Sequence, residues 1–151
     1  MKTTAVLIAA ACSLLAAPVF AGPPACDAHT TTGNWAFRCE GELPAPTLTP
    51  TRSLGTCVDS RTGFFNCTGS VNLGGMVVPQ AVQGQAHNNA DCTGTIRYEQ
   101  QIGGQPAPPL DINYVILDDG DTIWGLPINS GGVLSCTLRR VSDGKGRGHG
   151  E

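Results

Sequence analysis

Three carboxylates within four residues, Asp118, Asp119 and Asp121 around Gly120, form the densest cluster of chemistry in this chain. Oxygen-rich turns suit calcium, but calcium takes roughly six to eight oxygen ligands. The EF-hand loop pattern is absent, so these three residues imply at most a weak calcium site. An ordinary solvated hairpin turn is the simpler reading. With Asp111 and Glu99 nearby in sequence, the cluster also offers paired acids for glycoside hydrolysis. That reaction needs two opposed carboxylates in a cleft. The aromatics that would line such a cleft, Trp35, Trp124, Tyr98 and Tyr114, fall mostly on core-facing strand positions. His87 and Asp91 could pair as a base and its orienter, yet no nucleophile stands in a recognisable setting. There is no G-x-S-x-G elbow, and Ser70 and Ser135 lie close to cysteines. The expectation is a non-enzymatic protein with no cofactor, calcium being the one weak exception.

Cysteine is the second source of chemistry. Cys12 lies within an apolar leader, and six more follow: Cys26, Cys39, Cys57, Cys67, Cys92 and Cys136. Their spacings of 13, 18, 10, 25 and 44 contain neither a C-x-x-C redox pair nor a zinc-type cluster. An even number of cysteines in an exported chain implies disulfides, here up to three, with the pairing left open.

Export is read from the first 21 residues. A short n-region with Lys2 precedes an apolar run from Ala5 to Ala17, and Val19 and Ala21 supply the small residues of a cleavage site. The expected organisation is a signal peptide at 1–21, one β-rich domain at 22–141 and a flexible, glycine-rich basic tail at 142–151. The expected location is secreted: periplasmic, extracellular or cell-surface. Without Lys2 the chain has 8 basic and 12 acidic residues. That balance disfavours nucleic acid and anionic membranes as partners. No later segment is apolar enough for a membrane-spanning helix.

These residues must be positioned by strands. Leu110, Ile112, Tyr114 and Ile116 alternate with their neighbours, as do Trp35, Phe37 and Cys39, and Phe65, Cys67 and Val71. Asp118 to Asp121 reads as a hairpin turn returning through Thr122 to Trp124. A short repeat, C-x-G-x-(apolar), recurs at Cys39, Cys67 and Cys92. In each copy the cysteine and the apolar residue share one strand face, and the glycine leaves room for a ring or bridge. No window carries a helical apolar stripe. The polar or proline-bearing stretches 43–55, 80–91 and 99–109 read as loops. Seven or eight strands joined by connections of very unequal length predict an all-β, disulfide-stapled antiparallel β-sandwich, with a small β-barrel as the alternative.

Such a scaffold without assembled chemistry predicts a secreted structural or surface/adhesion protein. The alternative is a secreted binding module: a protein inhibitor, a lectin-like domain or a host-directed effector. The expected partner is a protein, a carbohydrate or another copy of the chain.

Overall fold

A computed structural model describes residues 26–44 and 47–141. Eight strands follow one another: β1 (Gly33–Pro44), β2 (Leu48–Asp59), β3 (Phe64–Leu73), β4 (Met76–Asn88), β5 (Thr93–Ile102), β6 (Gln105–Leu117), β7 (Thr122–Pro127) and β8 (Val133–Arg140). One 3-10 turn, Asp118–Gly120, joins β6 to β7. Each strand pairs antiparallel with the next, and β8 pairs with β1, closing a barrel. The closing ladder runs from Trp35 opposite Arg140 to Glu42 opposite Val133.

The expected β-sandwich is therefore corrected to a closed barrel, the architecture that stood as the alternative. Both folds bury one face of every strand, so alternation alone does not separate them. The unequal connections that favoured a sandwich largely vanish, because 80–91 lies mostly in β4 and 99–109 lies mostly in β5 and β6. Most of 43–55 likewise lies in β1 and β2.

Two of those stretches, 43–55 and 99–109, hid their strands behind prolines, and 80–91 hid its strand behind polar residues. Pro106 lies opposite Gln101 of β5, Pro108 and Pro109 sit at the β5–β6 register shift, and all three precede the β7 ladder, which begins at Ile112. A strand with one vacant side tolerates residues that lack an N–H. Because β7 is short, residues 128–132 follow it where the ladder stops. Ile128 N donates to Asp111 O at 2.8 Å, and Asn129 brackets Asp111 through Asp111 N→Oδ1 at 2.8 Å and Nδ2→Oδ2 at 3.1 Å.

Inward positions follow the period of two. Trp35, Cys57, Phe65, Cys67, Val82, Tyr98, Leu110, Ile112, Tyr114, Ile116 and Ile123 form one buried cluster. Eight strands enclose a space that side chains nearly fill, so large and small residues must face each other. The Tyr114 ring lies over Gly94, where an added Cβ would come within 2.2 Å of it. This is the room expected of the C-x-G glycine in the third copy, whereas Gly41 and Gly69 lie against the backbone of Val133 and Leu54.

Three disulfides staple this arrangement. Cys39–Cys136 joins β1 to β8 across the closing seam, Cys57–Cys67 joins β2 to β3, and Cys26–Cys92 ties the chain ahead of β1 to the β4–β5 turn. The first two join residues directly opposite in register. Chain-entropy reasoning makes the long closure matter most. Serine replacement of both Cys39 and Cys136, 97 positions apart, is expected to cost about 5 kcal/mol. The same exchange at Cys57 and Cys67, 10 apart, is expected to cost about 3 kcal/mol. Guanidinium unfolding of the two double variants checks the order, and equal losses would contradict it.

Candidate functional site

The two ends of the barrel differ in kind. At one end lie the turns after β2, β4 and β6, together with residues 26–32, which fold beneath Trp35. Trp35 is 1% exposed, and its Nε1 donates to Thr31 O at 2.7 Å. The Arg140 guanidinium sits 4.5 Å from the centre of the Trp35 ring. It donates to Thr32 O at 2.7 Å, to Thr30 O and Gly120 O at 2.8 Å each, and to Asp121 Oδ1 at 3.1 Å. One planar cation thus joins the N-terminal segment, the β6–β7 turn and a buried indole. Tyr114 adds a second tie, its hydroxyl donating to Asn88 Oδ1 and His87 O. Asn88 Nδ2 in turn donates to Asp27 O at 2.8 Å. These contacts make this the plugged end.

The other end carries four hairpin tips: Pro44 to Leu48, Leu73 to Met76, Ile102 to Gln105 and Pro127 to Val133. None contains Asp, Glu, Lys, Arg or His. Leu48, Met76, Ile128 and Val133 are exposed there. Gly74-Gly75 and Gly103-Gly104 make the two tightest tips with positive φ at both residues, as two-residue hairpins of type I′ require.

Between the ends lies a cavity of about 100 Å³ lined mainly by apolar side chains, among them Phe37, Phe65, Val82, Ile112 and Leu138. Polar groups reach it at two levels. Thr51, Ser53, Gln80 and Gln100 line it on the half nearer the uncharged tips, and Thr31 and Asp59 line it near the plug. Gln100 donates to Pro108 O at 2.9 Å. Two buried oxygens of the lining, Asp59 Oδ1 and Gln80 Oε1, make no hydrogen bond. Burial pushes the Asp59 carboxyl above its usual range, while the Thr31 hydroxyl and the Arg140 charge oppose that rise.

Of the residues singled out in the sequence, Trp35, Tyr98, Tyr114, Cys39, Cys57, Cys67 and Cys136 line this cavity, whereas the carboxylates among them and His87 do not. Asp118 and Asp121 are exposed on the turn at the plugged end, and Asp121 engages Arg140. The side chain of Asp119 lies outside the described set. Among the described residues, no three His, Cys, Asp or Glu side chains group as they would around a metal. His87 is exposed on β4, and Asp91 accepts from Thr93 N and Oγ1 at 3.0 and 2.7 Å. Asp111 pairs with Arg97 at 3.6 Å, away from Asp121. Glu99 is exposed at the β5–β6 register shift.

Sequence reasoning missed Asp59 and Arg140. A signal for Asp59 existed: it follows the inward Cys57 by two, so strand parity aims it inward. Arg140 carries no such mark, because its partners are backbone carbonyls distant in sequence.

No family model, curated protein or solved structure matches this chain.

A raised carboxyl in the folded state has a definite linkage sign. The folded protein holds the Asp59 proton at pH values where the unfolded chain has released it. Stability therefore falls as pH rises from the ordinary aspartate range through the raised folded value. Asp59→Asn is expected to remove this component. Urea unfolding of both proteins across the acidic to neutral range should show the variant gaining on wild type as pH rises. Parallel curves would contradict the assignment.

Proposed function

We propose that this protein is a secreted, non-enzymatic binding module that holds a small, mainly apolar molecule inside its barrel. The observation that carries this reading is the interior cavity of about 100 Å³ with its apolar lining. Eight-stranded barrels stand at the size where the interior either fills with side chains or keeps room for one small ligand. Convergent polar groups in an otherwise apolar pocket are the usual means of fixing a ligand's orientation.

Two further features support it. The plug closes one end, and the uncharged tips at the other place no charge in the path of an apolar molecule. Three disulfides suit an oxidising compartment, which supports export. The structural or adhesion reading has less support. Pairing of β1 with β8 leaves neither terminal strand open for strand-by-strand assembly. The stretches 43–55, 80–91 and 99–109, which read as loops in the sequence, are mostly barrel wall.

The test is thermal unfolding with compact apolar probes, such as xenon under pressure and isopentane. A ligand at about a hundred times its Kd adds roughly 2.7 kcal/mol, enough to raise Tm by several degrees. Val82→Phe, which fills the lining, is expected to abolish the shift while leaving the near-UV spectrum of Trp35 and the tyrosines folded in character. If neither probe shifts wild type, the binding reading fails.

A further inference from the structure

Asp59 is the one carboxylate among the described residues that line the cavity. It is 7% exposed, and its Oδ1 makes no hydrogen bond. The Thr31 hydroxyl hydrogen-bonds the carboxyl, yet Oδ1 keeps no partner. The Arg140 guanidinium bonds to Thr30 O, Thr32 O, Gly120 O and Asp121. The Tyr114 hydroxyl donates to Asn88 and His87, and Trp35 Nε1 donates to Thr31 O. A buried carboxylate oxygen without a donor is costly, and a charged donor relieves that cost most fully. Beside it the wall turns apolar. Phe65 lies directly across the β2–β3 ladder from Asp59, and the Cys57–Cys67 bridge follows at the next inward pair.

We propose that the cavity near the plug is a recognition site for a short-chain primary amine, whose ammonium donates to Asp59 Oδ1 while its alkyl body lies against Phe65 and the apolar wall. This rests on the binding-module reading and names the ligand class for the same cavity. A cavity of about 150 Å³ accommodates benzene. About 100 Å³ for the whole cavity, which runs from Thr31 and Asp59 to Leu43 and Ile102, therefore caps the body at about four or five heavy atoms, the size of isobutylamine.

The charge argument selects an amine over an alcohol. An alcohol would supply a donor but no charge, leaving the carboxylate in a low-dielectric wall offset by Arg140 alone. It also sets a pH dependence. The groups facing Asp59 are Thr31 on the N-terminal segment, Arg140 on β8 and Tyr114 on β6. Burial pushes the Tyr114 hydroxyl above its ordinary range, so it stays neutral while Asp59 ionises, and amine affinity should rise with pH.

The experiment titrates the full exported protein, disulfides intact, with isobutylammonium and separately with isopentane, read by amide chemical shifts. The expected result is amine binding at least tenfold tighter than isopentane, with shifts centred on Thr31, Asp59 and Phe65. Asp59→Asn should reduce the ratio of amine to isopentane affinity tenfold or more. Equal affinities for the two probes on wild type would overturn the proposal without touching the binding reading, and this comparison needs no variant. An unchanged ratio in a folded Asp59→Asn protein would overturn it too. Binding of neither probe would overturn both readings together.

Discussion

Everything in this molecule depends on one strand being bonded along both edges. β1 faces β2 on one side and β8 on the other, and the second ladder, from Trp35–Arg140 to Glu42–Val133, converts an open meander into a closed wall. An open sheet of this size would leave two rows of unpaired backbone groups and one apolar face without cover. Closure removes the rows and turns that face inward in a single step. It also explains the placement of Cys39 opposite Cys136, where a covalent bond holds together the two strands most distant in sequence. Trp35 and Arg140 occupy the last rung of the same ladder, so barrel closure and the seating of the plug are one event.

The interior follows from a packing conflict. Eight strands enclose too little space for a large residue at every inward position, and the chain answers by facing rings with glycines, as Tyr114 does over Gly94. The fit is incomplete, and the remainder is the cavity. Its polar groups are few and unevenly placed: a side-chain amide level with Gln80 and Gln100, and a single acid at the plug. An interior meant only for stability would gain by replacing both levels with apolar side chains, since unpartnered buried polar atoms cost free energy. Asp59 Oδ1 and Gln80 Oε1 are two of the three buried side-chain oxygens and nitrogens that lack a partner among the described residues.

Much of the wall was legible in the sequence. The alternation from Leu110 to Ile116, the inward cysteines and the return at Thr122 all rest on a period of two that local sequence displays. What stayed hidden depends on partners. β6 was concealed by Pro106, Pro108 and Pro109, which are permitted because β7 ends too soon to pair with that stretch and the β5 ladder shifts register at Pro108 and Pro109. The difference between barrel and sandwich lies in whether residue 35 meets residue 140, and no local pattern encodes that meeting. The candidate site was hidden for a related reason. Clusters in sequence, such as Asp118 to Asp121, drew attention as chemistry, whereas the structure uses Asp121 to hold Arg140. The acid that reaches the cavity stands alone between a valine and a serine.

The placement of the disulfides also sets how the protein carries tension. A pull applied outside Cys26 and beyond Cys136 finds a continuous covalent route through Cys39 and straight across to Cys136. The chain between those two cysteines, 97 positions apart, lies off that route and cannot be drawn out, whatever becomes of its hydrogen bonds. Strung between two anchors, the molecule would act as a short, nearly inextensible link. Six of its eight strands, β2 to β7, would hang from that link unloaded.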